Sequence, residues 1–305
     1  MVAFIVAAYR PEYFPDVDTY EIMYEFAATG DFNEPAYWIS HGEPGFKVLA
    51  YLISLAGLDY SSFLLMMSCI SGLLLLLISR ISSVPFSYLW FTYFSFYFIT
   101  RDLGVLRLAI ASHLVVIFFL QRKFIWQAVT ITISSLMFQY LSILAVFAKP
   151  LSRFKINWVS ISLLFIMSFA MSGFIRFEYL EFLLPNSNYE GSEAVKAAGS
   201  SIIVPIARNG FFALLIYFLM KNEIRFQHYR LWIWSAILSV SLYIMASGIL
   251  IAAQRLSAYF GAVIPLALAY LMYRQSIRRD NFLLIVFFCL LNFASLVYFN
   301  SWIWR

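Results

Sequence analysis

An all-α, polytopic membrane fold is what this sequence predicts, on three observations. The chain is 63% hydrophobic and only 12% charged, with a mean hydropathy of +0.81, a balance that no water-soluble domain of this length carries on its surface. Apolar runs long enough to approach the thickness of a bilayer recur from end to end. No intervening polar stretch is long enough to fold by itself, so residues 1–305 form one helical membrane domain of about 8–11 transmembrane or re-entrant helices.

Met1–Tyr9 is apolar but reaches only half a crossing, which makes it a partial first helix or the end of one that begins upstream. Helices are predicted over 62–79, 85–100, 103–120, 157–175, 202–220, 231–249, 255–273 and 281–299. Two further segments are ambiguous. Residues 45–58 are short, and 124–148 form a long helix with basic residues at both ends. If both re-enter on the side they left, the inner loops hold Arg80, Arg122, Lys123, Lys149, Arg153, Lys155, Lys221, Arg225, Arg230, Arg274, Arg278 and Arg279, twelve of the 21 basic residues, against only Glu223 and Asp280. The outer side then takes 14 of the 16 acids. That asymmetry is the positive-inside pattern. Ten simple spans are the alternative. The net charge of +5 concerns orientation and anionic lipid; nucleic acid is not an expected partner.

Two outer loops, 10–44 and 176–201, are rich in acids, and the first adds several tyrosines and a tryptophan. Sugars are held by such pairs of groups, through hydroxyl hydrogen bonds and ring stacking, although a solvated loop has the same composition. Trp90, Trp126, Trp158, Trp232 and Trp302 fit an interfacial belt. Cys69 and Cys289 sit in apolar runs as unlinked core residues. Nothing in the spacing of His, Cys, Asp or Glu calls for a metal or a cofactor.

Five arginines, Arg101, Arg107, Arg176, Arg208 and Arg255, stand in or beside apolar segments at the ends assigned to the outer face. Cations at that depth are costly and mark function by default. A guanidinium offers a planar fork of donors, suited to a phosphate or pyrophosphate headgroup.

Four stretches give the chain a further likeness: Arg10-Pro11 followed by Asp16-Val17-Asp18-Thr19-Tyr20 and Tyr24; Glu43-Pro44-Gly45-Phe46; Arg107-Leu108-Ala109; and Arg255-Leu256-Ser257-Ala258-Tyr259-Phe260 followed by Pro265. With them the chain resembles the EpsG family of Wzy-type polysaccharide polymerases through most of its length. The resemblance implies a membrane glycosyltransferase of the GT-C-like kind in the bacterial inner membrane, multi-pass, with its site facing the periplasm or cell exterior. It would use no nucleotide sugar, and would join undecaprenyl-pyrophosphate-linked glycan donor and acceptor units for O-antigen, capsule or exopolysaccharide. A chain-length regulator is a further partner of that kind of enzyme. Two departures stand out: Gln139 occupies a place where relatives usually carry histidine before a small polar residue, and the first helix is largely absent.

Glycosyl transfer from a lipid pyrophosphate needs charge stabilised on the leaving group and a base on the incoming hydroxyl. Arg107, one turn into helix 103–120, and Arg255, opening helix 255–273, are the leading pyrophosphate ligands, with Arg208 third and Arg101 fourth. Arg101 competes with a pairing to Asp102 or a snorkelled headgroup contact, and Arg176 reads as a surface anchor. For the base, Asp18 and Glu43 lead on their match to the resembled stretches, with Asp16 and His41 behind them. Asp18 followed by Glu21 also has the form of a capping box, and Glu43-Pro44-Gly45 also reads as a solvated turn into a short helix. Tyr20, Tyr24, Gln139, Tyr259 and Gln254, in or beside these stretches, are the expected substrate contacts. His113 reads as a polar packing partner, and His228 as a solvated loop residue. A polyprenyl-linked ligase or single-sugar transferase, and a flippase or transporter for lipid-linked glycans, remain the competing functions. No internal repeat of the kind transporters carry is visible.

Overall fold

The computed structural model describes residues 17–33, 43–103, 105–172, 203–220, 229–247, 250–276 and 281–299. Among them every regular element is helical. The chain divides into two compact units, residues 1–140 with 268–305 and residues 141–267.

The first unit opens with α1 (Val17–Ala28) and α2 (Pro44–Leu55). α2 has 12 residues, about 18 Å of helix against the ~30 Å of a hydrocarbon core, so it is too short to cross by itself. Gly30, at φ +70, turns the chain after α1, and a Cβ there would fall on the ring of Tyr51. α3 (Tyr60–Ser82) has 23 residues. Asp59 caps it, accepting the Ser62 N–H at 2.9 Å. Hydrogen bonds from the Ser62 hydroxyl and amide hold the Asp59 carboxyl below the usual range. The helix ends at Ser83 in the left-handed region, φ 57.

α3 buries Phe63, Leu64, Met67, Ser71, Leu75 and Ile78 along one face, the spacing of an amphipathic stripe. That face packs on α5 (Leu106–Leu120), in which every residue from Leu108 to Leu120 is buried. A helix apolar all round belongs at the centre of a bundle, and α5 takes that place. Between them, α4 (Phe86–Tyr93) runs into a π-helical stretch, Phe94–Asp102. Widening to i→i+5 bonding disturbs the ladder. Asn292 of α13 (Phe282–Phe299) donates from Nδ2 to the Ser95 carbonyl at 2.7 Å.

The expected long helix 124–148 is broken. α6 (Phe124–Ile133) becomes π-helical over Ser134–Phe138, stops at Gln139 in extended backbone (φ −160, ψ 110), and resumes as 3-10 turns over Tyr140–Phe147. Gln139 closes the π stretch by donating its N–H to the Ser134 carbonyl at 2.9 Å. The Ser134 hydroxyl fastens the stretch to α5 through the Ala111 carbonyl at 3.1 Å.

In the second unit, after α7 (Ala148–Leu151) and α8 (Trp158–Ser172), α10 (Tyr229–Met245) is the central helix, with α9 (Ile203–Met220), α11 (Leu250–Gly261) and α8 against it. Trp232, expected at an interface, is fully buried there. α10 is enclosed on all sides, so its ring joins the core. Trp126 and Trp158 are exposed. α12 (Val263–Ser276) carries the chain back into the first unit.

α3 and the continuous stretch Ala252–Arg274 are long and apolar enough to cross a membrane. α8 exposes Val159, Leu163, Ile166 and Phe169, and α13 exposes Leu283, Phe287 and Leu290. Apolar stripes of that extent are consistent with a membrane protein, in which lipid covers them. Cys69, expected in the core, also faces outward on α3, whereas Cys289 is buried; both are free thiols.

Candidate functional site

α2 is built for close approach at its N-terminus. Glu43 is its N-cap, in extended backbone (φ −71, ψ 151), and Pro44 follows with the fixed φ that suits a first helical turn. A Cβ on Gly45 would overlap the backbone and side chain of Met137, so the glycine lets this turn lie directly on the π stretch ahead of Gln139. Phe46 is fully buried, edge-on to Phe63 at 5.1 Å and tilted against Tyr20 at 6.0 Å.

Glu43 makes no capping bond with its own helix. Its Oε2 accepts from Nη1 of Arg107, an ion pair whose two side chains are 9% and 12% exposed. The alternative reading of Glu43, a solvated turn, is therefore corrected: the turn is packed, and the carboxylate points inward to a cation. Arg107 is the second residue of α5, because that helix starts at Leu106. The dipole disfavours a cation at a helix N-terminus, and three groups hold it there. Tyr20 accepts the Arg107 backbone N–H at 3.2 Å. The guanidinium carbon lies 5.4 Å from the Tyr20 ring centre and 5.2 Å from that of Phe46. Glu43 supplies the countercharge. Nε of Arg107 is buried without a hydrogen-bond partner among the described residues. Tyr140, just past the helix break, lies within the field of Glu43.

Lys47, absent from the sequence-based candidates, is fully buried one turn after Glu43. Its N–H bonds the Glu43 carbonyl at 3.2 Å, and its ammonium lies 6.0 Å from the Phe26 ring centre. Glu43 and Lys47 stand at i and i+4, the spacing of a favourable helix pair. That spacing was its available signal.

A second polar cluster lies deeper in the same unit. Asp102 is fully buried, and its two oxygens accept from Ser71 Oγ at 2.6 Å and from Tyr93 Oη. His113 Nδ1 is 3.4 Å from Ser71 Oγ. Since the Ser71 hydroxyl donates to Asp102, Nδ1–H is the group placed to donate to Ser71. His113 thus packs as a polar partner, with its ring 4.9 Å from Tyr93. Arg101 is 4% exposed and stacks on Tyr97 at 3.4 Å, so it does not snorkel to headgroups. Nor does it share a helical path with Arg107, because the helix breaks between Asp102 and Leu106.

Of the remaining candidates, Asp18 falls inside the first turn of α1, since the helix begins at Val17, and so is not its N-cap. Asp16 and His41 lie outside the described residues, as do Arg176, loop 176–201 and His228. Tyr20 is 2% and Tyr24 7% exposed, and the Tyr24 hydroxyl is spent on the Leu58 carbonyl at 2.8 Å. Both rings are enclosed by protein, as is Gln139.

In the second unit, Arg208 Nε is 3.4 Å from Asn209 Oδ1, and Asn209 Nδ2 donates to Ser257 Oγ at 3.1 Å, joining α9 to α11. Tyr243 of α10 lies near Arg208 and beside Gln254. Arg255 does not open its helix. α11 begins at Leu250, which places Arg255 in the second turn, half-buried, with no hydrogen bond or ion pair among the described residues. Tyr259 is fully buried and Gln254 exposed. No group of three or more His, Cys, Asp or Glu among the described residues is placed to hold a metal ion.

Helical architecture among the described residues, apolar outer stripes and a buried Glu43–Arg107 pair at two helix starts are consistent with a class, the helical membrane proteins. Within it, the EpsG family model matches residues 1–304, and the chain belongs to the EpsG family. No curated protein and no solved structure matches it.

Proposed function

We propose that this protein is a glycosyltransferase that joins polyprenyl-diphosphate-linked oligosaccharide repeat units at the outer face of the bacterial inner membrane, for an exopolysaccharide, capsule or O-antigen. Membership of the EpsG family supports the pathway class. The observation that carries the chemistry is the buried Glu43–Arg107 pair, because a membrane-embedded carboxylate and guanidinium in contact are the two groups the reaction needs.

In the proposed step, an acceptor sugar hydroxyl attacks the anomeric carbon of the donor glycan. The bond from that carbon to the diphosphate oxygen breaks, and its electron pair leaves on the lipid diphosphate. Arg107 stabilises the charge that develops there. The hydroxyl proton passes to a carboxylate, for which Glu43 is the leading candidate, ahead of Asp18, Asp16 and His41. In the second unit, Arg208 and Arg255 are proposed as contacts to the anionic carrier, with Gln254 beside them. The helices cross the bilayer several times in this reading, with the basic loops inside.

The test is chain growth by the purified full chain supplied with a defined polyprenyl-diphosphate repeat unit. The expected product is a ladder of lipid-linked oligomers, lost in Arg107→Ala and in Arg255→Ala while single units accumulate. No ladder with the wild-type chain, or full-length polymer from both variants at normal membrane levels, overturns the assignment.

A further inference from the structure

Three helix ends of the second unit bring polar groups to one level. Asn209 Nδ2 donates to Ser257 Oγ at 3.1 Å, which ties the early turns of α9 to those of α11. Tyr243, two residues from the end of α10, lies at the same level, near Arg208 and beside Gln254. Exposure falls steadily across the cluster. Gln254 is exposed, Arg208 and Arg255 are half-buried, and Tyr243 is 3% exposed.

The Tyr243 hydroxyl is buried with no hydrogen-bond partner among the described residues. Gln254 stands beside it without closing a bond. Most buried side-chain polar atoms do have a partner. A serine in the same helix finds one on its own backbone, as Ser239 does by donating to the Ala236 carbonyl at 2.7 Å. A phenol has no such recourse, because its ring carries the oxygen away from the helix.

The neighbours define the missing group as an acceptor. A guanidinium has donors only, so Arg208 can face the lone pairs of the phenol but cannot take its proton. Arg255, next to Gln254 in the chain, makes no ion pair among the described residues. The described residues between 141 and 267 contain no Asp or Glu. Donor-only cations and a phenol proton suit a ligand that is anionic and rich in acceptor oxygens, reached from the side of Gln254.

We propose that Tyr243 is a further ligand-binding residue of this protein, donating its hydroxyl to a phosphoryl oxygen of a diphosphate held at Arg208 and Arg255. The inference deepens the carrier contact proposed for those two arginines and rests on that reading. Tyr243 is the innermost donor of the contact. Being neutral, it costs less to keep buried in the empty site than a third cation does.

Tyr243→Phe removes the hydroxyl and keeps the ring. The purified full chain in detergent is titrated with geranylgeranyl diphosphate, inorganic diphosphate and geranylgeraniol, and binding is read as protection of the amides of Leu250–Gly261 from hydrogen exchange. That readout is local to the second unit, so diphosphate bound elsewhere does not enter it. The half-protecting concentration of geranylgeranyl diphosphate is expected to rise roughly ten- to a hundredfold in Tyr243→Phe, the worth of one hydrogen bond to a charged group. Geranylgeraniol, which has no phosphate, is expected to behave alike with both proteins. The unfolding temperature of the ligand-free variant is expected at or above that of wild type, since no protein group loses a partner.

No protection of wild type by either diphosphate, unchanged affinity in Tyr243→Phe, or an equal loss for the alcohol overturns the assignment. A lower unfolding temperature with unchanged affinity gives the hydroxyl to an internal water and overturns it too. Equal affinity for inorganic and lipid diphosphate assigns the contact to free diphosphate, and tighter binding of the lipid form assigns it to a carrier. The two proposals fail separately. The expected loss of affinity in a chain that makes no polymer removes the polymerase reading alone, and chain growth by wild type with unchanged affinity in Tyr243→Phe removes the Tyr243 assignment alone.

Discussion

The Tyr20 hydroxyl accepts the backbone N–H of Arg107 at 3.2 Å, from 87 positions away in the chain. The N–H groups of a first helical turn have no partner within the helix, and a tyrosine from α1 supplies one for α5. The same ring lies beside the guanidinium. Tyr20→Phe is therefore expected to cost about 1 kcal/mol through the lost hydrogen bond, with the ring kept. Tyr20→Ala, which also opens a cavity, is expected to cost about 3–5 kcal/mol. Thermal unfolding of the detergent-solubilised protein measures both, and equal losses in the two variants would remove the hydrogen bond as a distinct contribution.

Gly45→Ala places a methyl group on the Met137 backbone. Overpacking of this kind costs about 1–3 kcal/mol, and here it also pushes Glu43 away from Arg107. The expected outcome is a lower unfolding temperature together with reduced polymer yield. Trimming Met137 to alanine restores part of the stability but not all, since the overlap includes its Cα.

Ser71→Ala and Tyr93→Phe each take one hydrogen-bond donor from the buried Asp102 carboxylate. Each is expected to destabilise by about 1.5–3 kcal/mol, the range for bonds to charged groups. The double variant should depart from the sum of the two, because both donors serve one carboxylate. Additive losses in unfolding experiments would show that the two bonds act independently.

Asn292→Leu removes the side chain that satisfies the Ser95 carbonyl. Loss of one such bond costs about 0.5–1.5 kcal/mol. Hydrogen exchange of the amides of Phe94–Asp102 is expected to quicken in this variant while that of α3 stays slow, and uniform change across both would refute a local effect.

Much of the helix layout was legible in the sequence, because apolar run length alone locates segments such as Tyr60–Ser82 and Phe282–Phe299 within two or three residues. The break at Gln139 was not legible. The run carries no proline or glycine there, and the stretch ahead of the break is held by contacts remote in sequence, Ser134 on the Ala111 carbonyl and Met137 against Gly45. Helix starts slipped for the same reason: Arg255 was expected at the head of its helix and lies in its second turn, since Leu250–Ala253 continue the apolar run. At the site, charge at membrane depth pointed to Arg107, and a motif pointed to Glu43. Their contact was hidden, because it joins separate helices across 64 residues. Lys47 was overlooked because a lysine in a short polar-flanked helix reads as solvated. Ser71 and Tyr93 carry no signal beyond ordinary helix composition.

The separation between Glu43 and Arg107 also orders assembly. α2 leaves the ribosome before α5, so during synthesis the Glu43 carboxylate is made well ahead of the guanidinium it pairs with. That ion pair closes only once Arg107 has followed, later than the ring contacts of Phe46 with Tyr20 and Phe63 that already seat α2 on its neighbours.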